Sequence, residues 1–317
     1  MRSRSSLTKF FLSKRQLVMV YLFLLLLIVV ATLLNRRFLS IENLTNLMTT
    51  AVPYLLVSFA QTSILLVGGI DLSVGSVVSL SNAISARLMV NGPLGYLPAL
   101  AVSLAAGCGC GYGNGFVITK GRLQPIIVTL ASSSIIAGLA LAILPAPGGT
   151  VHLGFAKSVT GLLVGIPVPL LLGMLAAVLL WITLNRTKYG RSVYATGGNE
   201  YAAYSSGILV DRIKLITFVI CGLMSSIAGV YISLQMFSGD ALIGSNMSLI
   251  SITTAVLGGT SLAGGKGSIV GSTAGVFIFI IINNVLNLTG VPSFYQFILQ
   301  GALLIIALTI GTLRLRR

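Results

Sequence analysis

Long apolar stretches alternate with short polar connections along the whole chain. A helix needs about 20 apolar residues to cross a bilayer, because its backbone polar groups find no water there. Applied to this sequence, the rule predicts an all-α polytopic membrane protein with about ten transmembrane helices, the third and eighth being the least clear. The predicted spans are residues 17–34, 47–68, 72–90, 94–117, 125–144, 161–184, 213–237, 247–263, 268–288 and 293–313.

The composition supports the membrane assignment. Hydrophobic residues make up 56% of the chain and charged residues only 8%, whereas soluble domains carry about 25% charged residues. A basic segment, 1–16, precedes the first span, and we expect that span to be retained, since no small-residue cleavage site follows it before Arg36. The predicted organisation is a single transmembrane domain over 17–313, with a cytoplasmic loop at 185–212 and a basic tail at 314–317.

Lysine and arginine residues predict the orientation, because they collect in the cytoplasmic loops of membrane proteins. With both termini in the cytoplasm, only Arg36, Arg37, Arg87 and Lys157 fall on the outer side. The net charge of +15 then reflects topology and attraction to anionic lipid headgroups rather than nucleic-acid binding. The basic residues on the predicted cytoplasmic side are Arg2, Arg4, Lys9, Lys14, Arg15, Lys120, Arg122, Arg186, Lys188, Arg191, Arg212, Lys214, Lys266, Arg314, Arg316 and Arg317.

The loop at 185–212 is the longest polar passage in the chain, and its sequence predicts a short helix. Thr196-Gly197-Gly198 is expected to break the chain, Asn199 to cap a helix of about two turns, and Gly207 to end it. Such a helix is marginal alone in water, so a partner should pack on it. The exposed segment Tyr201-Ala202-Ala203-Tyr204 predicts a docking surface; the alternative is a solvated surface turn.

Glycine clusters at three places: GGIDLSVGS (68–76), GCGCGYGNG (107–115) and GGTSLAGGKGS (258–268). Most of these glycines are expected to let helices pack closely. The first and third clusters share a G-G-x-x-L frame, which suggests two pseudo-related halves. The third cluster is not a phosphate loop, because Thr260 and Gly267 stand where that motif needs Gly and Ser or Thr. If ATP is used, another chain binds it.

Asp71 is the one acid close to a predicted span in the first half of the chain. A carboxylate in a bilayer is costly, so it either caps the next segment together with Ser73 or lines a substrate path. Asn114, Asn283 and Asn284, together with Asn246, are polar residues of the same kind, which join helices more often than they bind ligands. The three cysteines and the single histidine show no catalytic or metal-binding pattern, and we expect no cofactor.

Four motifs, taken together, resemble the ribose-type branch of ATP-binding-cassette (ABC) importer permeases. They are GGIDLSVGS, Asn114-Gly115, YGRSVYATGGN..AA...GI and VLGGTSLAGGKGSIVG, and they cover nearly the whole chain in order. The resemblance implies two permease subunits, identical or different, around a pore in a bacterial plasma (inner) membrane. It also implies cytoplasmic ATPase subunits and a periplasmic or lipid-anchored protein that delivers ribose, xylose or a similar neutral sugar.

The same resemblance assigns candidate residues. The lead-in and short helix at 185–212 would couple the chain to the ATPase, through Tyr189, Gly190, Arg191, Gly197, Gly198, Asn199, Glu200, Ala202, Ala203 and Gly207. The family commonly reads E-L-D-A-I-A-A before its second Gly-Gly pair, whereas residues 248–254 lack both acids, which implies an altered outer mouth. The candidate translocation path comprises Asp71, Ser73, Asn114, Asn246, Ser248, Ser251 and Thr254.

Three alternatives stay open at this point. An ion-coupled secondary transporter would fit the half-repeat, but such proteins usually carry several ionisable groups in the membrane. A membrane-bound enzyme would need a convergent catalytic set, which the residue inventory does not provide. An ABC permease could also carry a small polar solute other than a sugar.

Overall fold

The computed structural model describes residues 15–90, 94–163 and 165–292, together with a few residues between 294 and 309. Within these ranges the regular structure is α-helical, apart from a short 3-10 helix at Arg36–Leu39 and a hairpin of two short strands, β1 and β2. The strands are Leu162–Leu163 and Ile166–Pro167. The helices are α1 Arg15–Leu34, α2 Ile41–Leu66, α3 Val74–Leu88, α4 Leu97–Gly121, α5 Pro125–Ile143, α6 Leu153–Thr160, α7 Val168–Arg186, α8 Lys188–Gly198, α9 Glu200–Ser205, α10 Val210–Met236, α11 Met247–Leu257 and α12 Ile269–Leu288.

Seven of the described helices are long and apolar enough to cross a membrane: α1, α2, α4, α5, α7, α10 and α12. The predicted third and eighth spans are shorter than expected, because α3 has 15 residues and α11 has 11. At 1.5 Å per residue neither helix reaches the roughly 30 Å of a hydrocarbon core. The predicted tenth span, 293–313, falls largely outside the described residues, as do residues 1–14 and the tail at 314–317.

The sixth predicted span, 161–184, begins too early. Its first residues form the β1–β2 hairpin, in which Leu162 pairs with Pro167. Helix α7 then begins at Val168 with Pro169 in its first turn. Proline fits there because the first turn of a helix needs no N–H donor from that residue.

Helix α2 is the centre of the bundle. Of its most apolar window, 83% is buried within the chain, whereas the corresponding figure for α1 is 6%. The largest hydrophobic cluster joins α2 to α10 and α12, including Phe59, Phe218 and Phe279. Helix α1 packs mainly on α12 and exposes most of its leucines, as expected of a helix at the lipid-facing edge.

The glycines of the cluster at 107–115 lie on two different faces of α4. A Cβ on Gly107, Gly111 or Gly115 would come within about 2.2–3.0 Å of α10, whereas Gly109 and Gly113 face open space. Three glycines spaced four residues apart therefore let the backbones of α4 and α10 touch, as small residues do in membrane helices. This confirms the predicted packing role for one face of the cluster.

The bundle has two ends. At one, which we call the α9 end, α8 and α9 lie beside the C-terminus of α2 and the 258–268 loop, and Tyr21 of α1 donates to the main-chain O of Val270. At the opposite end, Asn35 donates to the main-chain O of Leu288. Basic residues divide unequally between them. The α9 end carries Arg15, Lys120, Arg122, Arg186, Lys188, Arg191, Arg212, Lys214 and Lys266, and the opposite end carries Arg36, Arg37, Arg87 and Lys157.

Candidate coupling surface and buried polar junction

Helix α9 has the start and stop that its sequence predicts. The side chain of Asn199 accepts a hydrogen bond from the N–H of Ala202 at 2.9 Å, which is an N-cap. At the other end Gly207 adopts a φ of +82°, and the N–H of Ile208 donates to the main-chain O of Ala203 at 3.1 Å. This left-handed termination is the Schellman motif, which favours glycine at that position.

The predicted chain break at Thr196-Gly197-Gly198 is wrong. All three residues belong to α8, which ends only at Gly198. Gly197 is instead required by close packing, since a Cβ there would lie 1.7 Å from the main-chain O of Leu66 and 2.7 Å from the main-chain N of Gly265. We call this contact of α8 with the ends of α2 and the 258–268 loop the Gly197 contact.

The exposed surface of α9 is narrower than predicted. Tyr201 and Tyr204 are 80% and 71% exposed, but Ala203 is only 4% exposed. The Nζ of Lys214 lies 2.7 Å from Oε1 of Glu200 and fastens α9 to α10. Helix α9 is thus anchored on one side and presents Tyr201, Tyr204 and Ala202 on the other. Tyrosine is one of the residue types that contribute most to the binding energy of protein interfaces.

Helix α8 is fixed to the bundle by two tyrosine hydroxyls. Tyr189 and Thr217 of α10 are hydrogen bonded at 2.8 Å, and Tyr194 donates to the main-chain O of Gly267 at 3.0 Å. Burial raises the pKa of Tyr189 to about 12, an effect that the Thr217 hydrogen bond partly offsets. The phenol therefore stays neutral, and it connects α8 to α10.

Gly190 and Arg191 occupy the start of α8. A Cβ on Gly190 would lie 2.0 Å from the main-chain O of Leu184, so only glycine allows this tight turn out of α7. Its N–H donates to the hydroxyl of Thr187, the N-cap of α8, at 3.1 Å. The side chain of Arg191 is exposed at the α9 end.

Asp71, Ser73 and Asn114 meet in a buried polar junction between the ends of α2 and α3. Asp71 Oδ1 accepts from the N–H of Ser73 at 2.8 Å and from its hydroxyl at 2.6 Å, and Asn114 donates to the Ser73 hydroxyl at 2.9 Å. Ser73 stands at the N-cap of α3, but its side chain makes no capping bond. The carboxylate fixes the turn before α3 and is 3% exposed, so it faces no open path in this conformation.

Two further residues complete the junction. The thiol of Cys221 lies 3.5 Å from Asp71 Oδ2. The Gln61 amide, in the orientation that its neighbours require, donates to the main-chain O of Asp71 and accepts from its N–H. Neither residue is among those predicted from the sequence. Gln61 could have been noticed, since it lies in a run of polar residues, 61–63, within an apolar span.

Ser248 joins α11 to the same turn from the far half of the chain. Its hydroxyl accepts from the N–H of Gly75 at 2.9 Å and donates to the main-chain O of Leu72 at 2.7 Å. Ser251 and Thr254 are fully buried and donate within their own helix. Of the predicted path residues on α11, only Ser248 therefore contacts the Asp71 region.

Replacing Ser248 with Ala should destabilise the protein by about 1–3 kcal/mol, because the buried N–H of Gly75 loses its acceptor. The measurement is thermal denaturation of the purified chain in detergent. Ser251→Ala is the control, since its hydroxyl bonds only to the main-chain O of Ser248 in the same helix. Equal denaturation midpoints for the two variants would contradict the role of Ser248.

Asn246 lies apart from the junction, at the start of α11. It lines a cavity of about 300 Å³ together with Thr50, Tyr54 and Gln235. The predicted path residues thus do not lie together. Asp71, Ser73, Asn114 and Ser248 form the buried junction, Asn246 lines an open cavity, and Ser251 and Thr254 are buried within α11. They do not form one continuous channel in this conformation.

The two Gly-Gly pairs end their helices in the same way. Gly68 has a φ of +80° and Gly259 a φ of +92°, and each closes a Schellman turn after a helix that runs toward the α9 end. The structurally equivalent residues are therefore Gly68, the first glycine of its pair, and Gly259, the second glycine of its pair. The predicted G-G-x-x-L alignment is wrong by one residue, and the relation between two halves stays a prediction.

These features define a polytopic helical membrane protein whose short helix α9 packs on α8 and α10 and exposes Tyr201 and Tyr204. Residues 43–308 match the family described as the branched-chain amino acid transport system permease component. The chain belongs to that family.

Several characterised members are similar over most of their length. The chain is 41% identical to the ribose import permease protein RbsC of Bacillus subtilis strain 168, over 90% of each chain. It is 36% identical to RbsC of Escherichia coli K12, over 90% of this chain and 91% of that one. It is 34% identical to the D-allose transport system permease protein AlsC of Escherichia coli K12, over 92% and 90%. No solved structure matches the chain.

Proposed function

We propose that this chain is the membrane permease subunit of an ABC importer that carries a small neutral sugar across a bacterial inner membrane. The observation that carries the proposal is the arrangement of α9. This capped helix is anchored by Lys214 and by its contact with α8, and it presents Tyr201 and Tyr204 to the outside of the bundle. The names of the similar permeases support a monosaccharide such as ribose or allose as the substrate. The alternative within the same class is another small polar solute.

We infer that the α9 end faces the cytoplasm. The unequal division of basic residues supports this orientation, because lysine and arginine collect on that side of a membrane. The proposed topology also has a basic N-terminal segment of 16 residues, a transmembrane domain at 17–313 and a basic tail at 314–317. The domain would comprise about ten membrane segments in two related halves, of which α3 and α11 are too short to cross the bilayer as helices alone. Both termini would then lie in the cytoplasm, as the sequence analysis predicts.

Energy would enter through a separate ATPase subunit. The 258–268 glycine cluster lacks the Gly and Ser or Thr of a phosphate loop. Movement of a docked ATPase would pass from α9 to α8 and, through the Gly197 contact, to α2 and the 258–268 loop together. Differential contacts of the two ATPase states with α9 would supply the conformational bias that alternating access requires.

The remaining partners follow from the same assignment. A second permease subunit, identical or different, would complete the pore, and a periplasmic or lipid-anchored sugar-binding protein would deliver the substrate. Because that receptor would capture the sugar, the permease itself needs only a weakly specific path with hydrogen-bonding groups. Uncharged polar residues such as Asn246 suit a neutral solute.

Reconstitution tests the proposal directly. The permease, its ATPase and its binding protein are placed in proteoliposomes, and uptake of radiolabelled D-ribose, D-allose, D-galactose and L-arabinose is measured. We expect uptake of at least one sugar that requires ATP and all three components. Uptake by the permease alone under a proton or sodium gradient would contradict the proposal and favour an ion-coupled transporter.

A further inference from the structure

A cavity of about 490 Å³ opens between α2 and α12. Its polar lining includes Asn46, Thr50 and Tyr54 of α2 and Asn283 and Asn287 of α12, and none of the described lining residues carries a charge. Small-molecule sites commonly measure about 300–1,000 Å³. Thr50 and Tyr54 also line the adjoining Asn246 cavity, so the two spaces meet along α2.

The polar residues follow one face of each helix. Residues 46, 50 and 54 repeat every fourth position on α2, as do residues 283 and 287 on α12. Side chains four residues apart lie on the same face of a helix. A row of polar side chains facing lipid would be costly. The two rows therefore indicate a cavity that contains water or a polar ligand.

The walls of the cavity are held together by an amide pair. Asn43 Nδ2 donates to Asn284 Oδ1 at 3.1 Å, and Asn284 Nδ2 donates to Asn43 Oδ1 at 2.8 Å. These two side chains satisfy each other and so join α2 to α12. The sequence predicts this joining role for Asn284, and the structure confirms it.

Other polar groups in the cavity are available to a ligand. Within the part of the chain that the structure describes, the side chains of Asn46, Thr50 and Tyr54 make no hydrogen bond to protein. Asn287 Oδ1 accepts from Gln296 at 2.8 Å, which leaves its Nδ2 group as a donor. The site thus offers amide and hydroxyl donors and acceptors without charge, which is the chemistry that hydroxyl groups of a neutral polyol need.

The cavity lies at the end of the bundle opposite α9. Twenty residues of α2 separate Asn46 from Leu66, which is a distance of about 30 Å along a helix. In the proposed orientation this end faces the binding protein. A solute released there would meet these two polar rows before any part of the buried Asp71 junction.

We propose that this amide-lined cavity is a binding site for a neutral polyhydroxylated solute at the outer entrance of the translocation path. The inference rests on the proposed function and adds the residues that contact the sugar. Asn46 and Asn287 bind hydroxyl groups through their free amide atoms, and Tyr54 offers an apolar ring for the sugar face together with its hydroxyl.

Uptake of radiolabelled D-ribose by the reconstituted assembly tests the site. Asn46→Leu and Asn287→Leu should each lower uptake roughly tenfold, because a sugar hydroxyl would lose its partner on leaving water. Asn46→Gln, which keeps an amide, should recover part of the activity, and stimulation of ATP hydrolysis by the binding protein should persist. Gln124→Leu is the matched control, since its exposed amide lies at the α9 end. Normal uptake by both leucine variants would overturn the inference and leave the proposed function intact.

A second measurement does not depend on sugar transport. Asn46→Cys should react with a membrane-impermeant methanethiosulfonate reagent added from the outer side, above the background of the three native cysteines, and Gln124→Cys should not. If wild-type protein carried none of the sugars, the proposed function would fail, but a reactive Cys variant at 46 would still support a water-filled cavity. An unreactive variant that instead cross-links two copies of the chain would overturn the site, because a permease interface would then cover it.

Discussion

Gly197→Ala should be among the most damaging single substitutions in the chain. The added methyl group would lie 1.7 Å from the main-chain O of Leu66, and backbone atoms cannot rotate away as a flexible side chain can. Either α8 leaves the bundle or the end of α2 moves, at a cost of about 3 kcal/mol or more. We expect a lower denaturation midpoint in detergent and loss of ATP-dependent uptake.

The neighbouring glycine provides the control for this experiment. A Cβ on Gly198 would meet nothing within 4 Å, although Gly198 lies in the same helix and next in sequence. Gly198→Ala should therefore keep wild-type stability. If both alanine variants behaved alike, helix propensity rather than the Gly197 contact would explain the effect.

Substituting alanine for both Tyr201 and Tyr204 should abolish transport without affecting folding. Both side chains are largely exposed, so their removal leaves the bundle intact. Interface tyrosines often contribute about 2 kcal/mol or more each, which corresponds to roughly thirtyfold or greater loss of affinity. We expect weak binding to the ATPase and little uptake from a chain whose denaturation midpoint is unchanged.

Tyr112→Ala is a suitable comparison, because Tyr112 is 52% exposed but lies on α4 within the apolar bundle. It should bind the ATPase normally. Binding is measured by co-purification and uptake in proteoliposomes. Normal ATPase binding by the Tyr201 and Tyr204 double variant would show that α9 is not the docking surface.

Local sequence patterns predicted the parts of the fold that local physics determines. The apolar runs located α1, α2, α5, α10 and α12 to within a few residues, apart from the early start of α2. The caps of α9 were predictable too, since Asn199 and Gly207 act on backbone groups only a few residues away.

The misplaced features depend on distant contacts. Gly197 looked like a helix breaker because glycine is a weak helix former, yet it lies in a helix where α2 approaches closely. The third and eighth spans were predicted too long because apolar residues continue past the ends of the helices, at Met89 and Val90 after α3 and at Leu262 and Ala263 after α11. The hydrogen bond between Gly75 and Ser248 joins positions 173 residues apart, which no local pattern can indicate.

The glycine face between α4 and α10 restricts how this bundle can move. Where Gly107, Gly111 and Gly115 bring two backbones into contact, no layer of flexible side chains is left to absorb a shear displacement. Helices α4 and α10 must therefore move together as one rigid unit. Any opening of the protein has to occur at surfaces with longer side chains, such as the boundary between α2 and α12.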